Sequence, residues 1–248
     1  MSSHIFSKRK SLFTTLGYFF IRYSKRLIFS SSASIYGSAT SIEVTEKSDI
    51  KPGSPYARTK AFIQEIIKDY CNAYDMKAIS LRYFNPIGAD PKMRTGGYIK
   101  NPSHILAKLL QAYFSKSKEF TITGVDWDTR DGSGIRDYIH VWDLALAHVK
   151  AVEKIDKIFN DSDGNYYAIN IGRGEEITVK EFVKEFEKTL NTKLNIHEGP
   201  ARDGDVLLAY ANCDLSKKLL DWKAELSIAQ AIKDAIEWEK KYKNIEIF

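Results

Sequence analysis

The stretch LIFSSSAS, residues 27–34, is the part of the sequence that decides the predicted fold. Its first four residues form a short apolar run of the kind that becomes a buried strand. The run ends at Ser30 in small polar residues, as strands do when they give way to a loop that forms a site. Ligands of open α/β sheets bind beyond the carboxyl ends of the strands. We therefore expect a strand over residues 27–30 that opens into a functional loop.

Helical and strand patterns alternate through the rest of the chain. Apolar residues spaced three and four apart predict a helix over about residues 56–74, and strands are predicted at 77–84 (KAISLRYF) and 166–171. Further elements are predicted as a helix capped by Ser103 and running to about 113, a strand at 120–123, and helices at 141–155, after Thr178, at 214–221 and at 227–243. Strands separated by helices imply right-handed crossovers. The predicted fold class is thus α/β with a parallel, Rossmann-like sheet.

The composition is that of a globular chain, and its charge is concentrated at one end. The 248 residues are 44% apolar and 28% charged, which excludes disordered, collagen-like and disulfide-stapled classes. The formal net charge is +5, but six of the 37 basic residues and none of the 32 acidic residues lie in residues 1–26. The remainder is close to neutral, so we expect no nucleic-acid partner.

Neither the cysteines nor the apolar runs indicate a metal site or a membrane partner. Cys71 and Cys213 are far apart and share no short metal-ligand spacing with the histidines, so we expect packed thiols of a cytoplasmic protein. No apolar run approaches the roughly 18 residues of a spanning helix. Residues 12–21 follow three basic residues, as in a targeting segment, but no small-residue cleavage site comes after them. A poorly structured or foreign leader is the favoured interpretation.

The first candidate for chemistry is the pair Tyr56 and Lys60. A spacing of four residues puts both side chains on one face of the predicted helix. A free tyrosine titrates near pH 10 and is a poor base at neutrality, unless a nearby cation such as Lys60 stabilises the phenolate. Taken alone, the pair is more often a helix tyrosine and a surface lysine. Ser32, a hydroxyl just beyond a strand, favours the catalytic interpretation because it can bind the same substrate oxygen.

Four stretches in order then resemble a known family. They are SSSASIYG at 30–37, SPYARTK at 54–60, LRYFNPIGA at 81–89 and DGSGIRDYIHV at 131–141. They are similar to the consecutive signatures of the UDP-glucose 4-epimerases, which are extended short-chain dehydrogenases/reductases of the NAD-dependent epimerase/dehydratase family. The resemblance covers residues 27–248.

The resemblance implies a reversible inversion at carbon 4 of a UDP-hexose, UDP-glucose or UDP-galactose, with tightly held NAD as the transient hydride acceptor. On that basis Tyr56 is the base that removes the 4-hydroxyl proton, and Lys60 assists it and touches the nicotinamide ribose. Ser32 orients the sugar hydroxyl and Ser34 assists. Ser30 is assigned to the cofactor side together with Tyr56 and Lys60.

The nucleotide end follows from the same resemblance. Arg136 and Arg202 resemble the arginines that contact the diphosphate, Asp205 the ribose contact, and Asn85 the amide on the diphosphate side. Two phosphates need cations and donors of this type. Without the motif context, each of these residues would be interpreted as a surface charge or a loop residue.

Two further features of the motifs bear on the reaction. The related 4,6-dehydratases would be expected to carry an Asp-Glu pair at the positions of Ala33 and Ser34. The absence of this acid pair favours epimerisation. Asp137 and His140 are better explained as structural residues, with His140 and Asp143 satisfying backbone donors near the start of the helix at 141.

The Gly-rich turn of the family is not found in this chain. Gly17 is the only glycine before Gly37, so residues 1–36 cannot build a backbone nest for a pyrophosphate. We expect an incomplete Rossmann domain, an apolar edge at the strand over 27–30, and a chain that is inactive alone. A homodimer, typical of the family, would be weakened.

The expected organisation has three parts. Residues 1–26 form the leader, residues 27–85 and 141–171 the remaining NAD-binding domain, and residues 86–140 and 172–248 a UDP-sugar-binding lobe. Two alternatives stay open: another NDP-sugar 4-epimerase acting on N-acetylhexosamines or pentoses, and a non-catalytic UDP-sugar-binding remnant.

Overall fold

The computed structural model describes residues 25–37, 41–97, 102–201 and 209–245. Its strands are β1 (Arg26–Ser30), β2 (Glu43–Val44), β3 (Lys77–Tyr83), β4 (Asn85–Ile87), β5 (Glu119–Thr123), β6 (Ile135–Arg136), β7 (Tyr138–His140), β8 (Tyr166–Ile171), β9 (Ile177–Thr178), β10 (Asn195–Gly199) and β11 (Tyr210–Ala211). Its helices are α1 (Pro55–Tyr74), α2 (Ile105–Phe114), α3 (Val141–Asn160), α4 (Val179–Thr189), α5 (Asp214–Leu220) and α6 (Ile228–Ile245), with a 3₁₀ helix over Ala33–Tyr36.

The main sheet has three parallel strands in the order β1-β3-β8. Ser30 pairs with Leu81, and Tyr83 pairs with Ile171, so the carboxyl ends of the three strands meet at one edge. The predicted α/β class with a parallel sheet is confirmed. Within the described ranges β1 pairs with β3 alone, and it begins one residue earlier than predicted, at Arg26.

Helix α1 begins as its sequence predicts. Ser54 has an extended backbone and its Oγ accepts a 3.1 Å hydrogen bond from Ala57 N, while Pro55 occupies the first turn, where a missing N–H costs nothing. The buried side of the helix includes Ile67 and Cys71, which pack with Ala78 of β3. This packing fixes α1 against one face of the sheet.

Helix α3 covers the opposite face of the sheet. Its buried residues include Leu144, Ala147 and Ala151, which belong to one apolar cluster with Ile79 and Leu81 of β3. It runs to Asn160, five residues beyond the predicted end. Because β3 is covered on both faces, its side chains alternate between contacts with α1 and contacts with α3.

A second large apolar cluster lies around α2, α4 and α6, with Leu109, Phe182 and Ile232 fully buried in it. The predicted cap of α4 is confirmed, because Thr178 and Glu181 form a reciprocal capping box. The predicted cap of α2 by Ser103 is wrong. The backbone of His104 is still extended, so the helix starts one residue later than a Ser103 cap requires.

In the part of the chain that the structure describes, four two-stranded sheets complete the fold, and the sequence did not predict all of them. Three of these sheets are parallel: β5 with β10, β2 with β11, and β4 with β7. The fourth, β6 with β9, is antiparallel. Strand β10 is mostly exposed and carries no clear alternating pattern. It is a strand because β5 lies beside it and supplies the hydrogen-bond partners.

The two cysteines are free and buried, as predicted. Burial raises the pKa of the Cys71 thiol to about 11 and, with the nearby charge of Asp137, that of Cys213 to about 12. None of the helices in the described ranges combines the length and apolar composition that a membrane crossing requires. Of the predicted leader, residues 1–24 lie outside the described residues, and Arg26 is part of β1.

Candidate active site

Tyr56 and Lys60 lie on the first turns of α1, close to the carboxyl end of β1. The Lys60 ammonium is 5.6 Å from the centroid of the Tyr56 ring and 5.1 Å from that of Phe29. It donates a 2.8 Å hydrogen bond to the main-chain oxygen of Ser30. The Tyr56 side of the pair faces solvent, with half of the residue exposed. The i,i+4 spacing thus brings the two predicted catalytic residues together.

Ser32 and Ser34 meet in the turn that follows β1. Ser32 is the N-cap of the 3₁₀ helix, and its Oγ accepts hydrogen bonds from Ser34 N at 3.2 Å and from Ser34 Oγ at 3.0 Å. Ser32 is almost fully buried. The two hydroxyls are therefore coupled, and Ser32 Oγ retains its own proton to donate.

A buried polar network fixes this turn from below. Tyr36 donates a 2.6 Å hydrogen bond to Asn170 Oδ1 and accepts one of 2.9 Å from Arg82 Nη1. Arg82 also donates to Gln64 Oε1 of α1 at 3.0 Å. Burial raises the pKa of Tyr36 although the Arg82 charge opposes it. The network ties the serine turn, α1, β3 and β8 to one another.

Tyr83 is a site residue that sequence reasoning missed. It ends β3, it lies close to Tyr56, and its pKa is raised chiefly by burial and then by Tyr56. It lies in LRYFN, one residue before the end of the strand predicted over 77–84, and no local pattern there marks its role. The structure brings the tip of β3 beside the predicted base.

Two cavities lie along the strand tips and share Asn85. The smaller, of about 80 Å³, is lined by Ser32, Ser34, Tyr83 and Asn85 among others. The larger, of about 200 Å³, is lined by Asn85, Ser103, His104, Lys108, Arg136 and Tyr138 among others. Asn85 is held there because its N and its Nδ2 both donate 3.0 Å hydrogen bonds to the main-chain oxygen of Asp137. Asn85 therefore lies between the serine turn and Arg136, and the serine turn together with the two cavities is called the groove below.

Arg136 lies at the far end of this groove, on β6. Its Nη1 donates a 2.7 Å hydrogen bond to the main-chain oxygen of Ile135. The strand pairs with β9, with Arg136 opposite Ile177. The predicted diphosphate arginine thus lines the larger cavity, whereas the serine turn lines the smaller one. Arg202 and Asp205, the other two predicted nucleotide contacts, lie outside the described residues.

Asp137 is fully buried and its carboxylate accepts three backbone hydrogen bonds. The donors are Arg173 N at 2.8 Å, Gly174 N at 3.0 Å and Ala211 N at 3.1 Å. Burial is the largest influence on this group and raises its pKa to about 6. The carboxylate therefore links β11 to the turn that follows β8. A Cβ at Gly172 would lie 2.4 Å from Asp137 Oδ2, so this turn requires glycine.

His140 and Asp143 also have structural contacts. His140 Nδ1 accepts a 3.0 Å hydrogen bond from Trp142 N, which caps α3 as predicted, and its Nε2 is 3.0 Å from Asp234 Oδ2. The prediction that Asp143 serves the start of this helix is wrong. Its Oδ2 accepts instead from Glu225 N at 3.0 Å and Leu226 N at 2.8 Å, because the segment after α5 packs against the first turn of α3.

Among the described residues, no group of three or more His, Cys, Asp or Glu side chains is arranged to hold a metal ion. The groups in the groove and beside it are instead a phenol, an ammonium, hydroxyls, an amide and a guanidinium, although Tyr56 and Lys60 line neither cavity. This set can remove a proton at one end and bind an anion at the other.

Comparison with known proteins gives a consistent result. A family model described as GDP-mannose 4,6 dehydratase matches residues 15–235. The chain is 38% identical over 223 residues to UDP-glucose 4-epimerase 2 of Oryza sativa subsp. japonica, covering 88% of this chain and 53% of that protein. It is also 38% identical over 222 residues to UDP-glucose 4-epimerase of Drosophila melanogaster, covering 88% of this chain and 63% of that protein. The chain thus spans between about half and two thirds of the length of these curated relatives.

The solved structures agree. The crystal structure of UDP-glucose 4-epimerase from Bifidobacterium longum in complex with NAD+ and UDP superimposes with a TM-score of 0.84. Sequence identity is 32%, and the match covers 93% of this chain and 68% of that one.

Proposed function

This chain belongs to the epimerase/dehydratase family that the GDP-mannose 4,6 dehydratase model describes, and on that premise we propose that it serves the 4-epimerisation of a UDP-hexose. The reaction interconverts UDP-glucose and UDP-galactose through a transient 4-keto sugar. The curated relatives named UDP-glucose 4-epimerase support this choice of substrate.

The catalytic end of the groove supports a proton transfer at a sugar hydroxyl. Tyr56 is the base, and its exposed side leaves room for a sugar. Lys60 places a positive charge 5.6 Å from the phenol ring, where it stabilises the tyrosinate form that accepts the proton. Ser32 donates a hydrogen bond to the same sugar oxygen and so orients it.

The described residues fit one end of a dinucleotide cofactor. The Lys60 ammonium, fixed on Ser30 at the strand tips, and the neighbouring Tyr56 phenol suit the hydroxyls of a nicotinamide ribose. The chain contains no Gly-x-x-Gly-x-x-Gly run that would nest a pyrophosphate. When bound, NAD supplies the hydride acceptor for carbon 4. The residues of this chain hold the sugar and move the proton.

The other end of the groove supports binding of a nucleoside diphosphate. Arg136 provides a guanidinium that matches the geometry of phosphate oxygens. Lys108 adds a second basic group to the wall of the same cavity. We also assign Arg202 to the diphosphate and Asp205 to the ribose.

One observation carries the proposal more than any other: Asn85 lines both cavities. Its position places a single amide between the serine turn and the Arg136 wall. A nucleotide sugar has the same order of parts, with a sugar at one end, a diphosphate in the middle and a nucleoside beyond. This order of groups supports a nucleotide sugar as the ligand.

Epimerisation rather than 4,6-dehydration is favoured by the serine turn. Dehydration needs an acid and a base at carbons 5 and 6, for which an Asp-Glu pair is expected. This chain has Ala33 and Ser34 there, and Ser34 Oγ is bonded to Ser32 Oγ. The turn supplies hydroxyls that orient a sugar and no carboxyl group.

The direct test uses the purified full chain. Released NAD is sought after denaturation, UDP binding is measured by calorimetry, and conversion of UDP-galactose is followed with NAD added. The proposal predicts UDP binding, and production of UDP-glucose only if the chain holds NAD without the Gly-rich turn. UDP binding without cofactor or turnover would leave a UDP-sugar-binding protein. Turnover of UDP-N-acetylhexosamines or UDP-pentoses in preference to UDP-galactose would reassign the sugar, and loss of all three signals would reject the proposal.

A further inference from the structure

His148, on the third turn of α3, makes hydrogen bonds through both ring nitrogens. Its Nδ1 lies 2.8 Å from the main-chain oxygen of Leu144, and its Nε2 lies 2.9 Å from Ser30 Oγ. A carbonyl oxygen can only accept, so Nδ1 carries a proton. In the neutral imidazole, Nε2 is then an acceptor and the Ser30 hydroxyl donates to it.

Ser30 connects this histidine to Lys60. Side chains alternate along β1, so Phe29 points toward α1 while Ile28 and Ser30 point toward α3. The Ser30 hydroxyl therefore meets His148 on one face of the sheet. Its main-chain oxygen accepts from Lys60 Nζ of α1 at 2.8 Å. One residue is held from both sides, by a helix on each face.

His148 also contacts Tyr83, a neighbour of Tyr56. The His148 and Tyr83 ring centroids are 6.5 Å apart with the planes inclined at 49°. Tyr83 in turn is a neighbour of Tyr56. His148 thus touches one neighbour of Lys60 and one neighbour of Tyr56, without contacting either of the pair.

We propose that His148 is a positioning residue for the Tyr56–Lys60 pair, acting as a hydrogen-bond acceptor that holds Ser30 at the end of β1. The role in catalysis rests on the proposed function, whereas the role in fixing Lys60 does not. The end of β1 is also secured by Ser31 N, which donates to Leu81 O at 2.9 Å. Loss of His148 therefore loosens Lys60 rather than releasing it.

Two variants separate the contacts of His148. His148→Phe keeps a ring beside Tyr83 and removes the acceptor. His148→Gln keeps an acceptor for the Ser30 hydroxyl and removes the ring. Ser30→Ala breaks the same hydrogen bond from the other side, and it serves where the Phe variant fails to fold. His197→Phe, at an exposed position of β10, is the matched control.

The measurement is the rate at which an amine-reactive ester labels Lys60, read by peptide mass spectrometry relative to the other lysines. Neither sugar nor cofactor is required, so the result is independent of the proposed function. Loss of one hydrogen bond should raise the labelling rate of Lys60 by about threefold to tenfold in His148→Phe and in Ser30→Ala. The double variant should show no further rise in that rate. His148→Gln and His197→Phe should label at the original rate.

A spectroscopic readout checks the acceptor directly. Ring ¹⁵N chemical shifts of His148 should show a protonated Nδ1 and an unprotonated Nε2, and Ser30→Ala should shift the Nε2 signal. Where the protein is active, His148→Phe should lower kcat and leave KM for the UDP-sugar within about twofold, with recovery in His148→Gln. A protonated Nε2 in the neutral ring, or Lys60 labelling unchanged in both His148→Phe and Ser30→Ala, overturns the proposal.

Discussion

The Lys60 ammonium donates a 2.8 Å hydrogen bond to the main-chain oxygen of Ser30. This contact spans 30 residues of sequence and joins the first turns of α1 to the tip of β1. It places a fixed positive charge beside the Tyr56 phenol, at the edge of the sheet where the cavities open.

Tyr56→Phe removes the hydroxyl that accepts the sugar proton and leaves the ring in place. General-base catalysis is worth roughly 10²- to 10⁴-fold, so UDP-galactose turnover should fall by that factor. UDP affinity should stay within about twofold, because Arg136 and the larger cavity are unchanged. Turnover and calorimetry provide the two readings.

Tyr74→Phe is the matched control for this substitution, since Tyr74 is an exposed tyrosine at the far end of the same helix. It should retain both turnover and UDP affinity. Full activity in Tyr56→Phe would show that another group is the base.

Arg136→Gln removes the guanidinium from the wall of the larger cavity. A hydrogen bond to a charged group contributes about 1.5–3 kcal/mol, so the Kd for UDP should rise by roughly ten- to a hundredfold. Calorimetry at fixed ionic strength measures the change. Arg58→Gln, an exposed arginine of α1 that lines neither cavity, controls for the lost charge. Equal effects of the two substitutions would mean that Arg136 makes no specific contact with the diphosphate.

Tyr36→Phe deletes the hydroxyl that joins Arg82 to Asn170. The Arg82 donor and the Asn170 acceptor then remain buried with one partner fewer, and such a group costs about 1–3 kcal/mol. Urea denaturation should show a loss of that size in the free energy of unfolding. Tyr74→Phe, which breaks no buried contact, should lose less than about 0.5 kcal/mol. If the Tyr36→Phe protein were as stable as the original, the network would not be what supports the serine turn.

Asp137 predicts a specific pH dependence of stability. Its pKa rises from 3.8 to about 6 in the folded protein, mainly through burial. The folded state then binds the proton more tightly than the unfolded state. The contribution of this group is fully present below about pH 4 and is lost as the pH rises through about 6. The upper limit of that loss is roughly 3 kcal/mol.

Asp137→Asn cannot titrate, so it isolates this contribution. The free energy of unfolding of the original protein minus that of Asp137→Asn should decrease between pH 4 and pH 6.5. Denaturant titrations at several pH values give the difference. Asp69→Asn, which removes an exposed carboxylate of α1, should show no comparable trend. A difference that is constant, or that increases with pH, would contradict the raised pKa.

The sequence predicted those parts of the site that depend on local geometry. Tyr56 and Lys60 were paired because a helix brings residues four apart onto one face, and the helix was identified from its apolar spacing. Thr178 was identified as a cap from its residue type at the start of a predicted helix, and the structure adds its reciprocal contact with Glu181 within one turn. Contacts of this range need no knowledge of the rest of the chain.

The predictions that were wrong or absent involve contacts between distant segments. Asp143 was assigned to its own helix, yet the segment at Glu225 provides its donors. Strand β10 exists because β5 lies beside it. Tyr83 and His148 carried no local signal of their roles, since each acts through a residue on another element.

Periodicity and short spacings in the sequence were sufficient to predict the α/β class, the order of the main elements, the helical pairing of Tyr56 with Lys60, and the family through its four motifs. Backbone geometry sets these features locally. The position of Asn85 between two cavities, and the contacts that hold Ser30 between His148 on one face of the sheet and Lys60 on the other, could not be predicted in this way. Such contacts require strands and helices distant in sequence to pack side by side, and it is the packed sheet that brings their side chains within hydrogen-bonding distance.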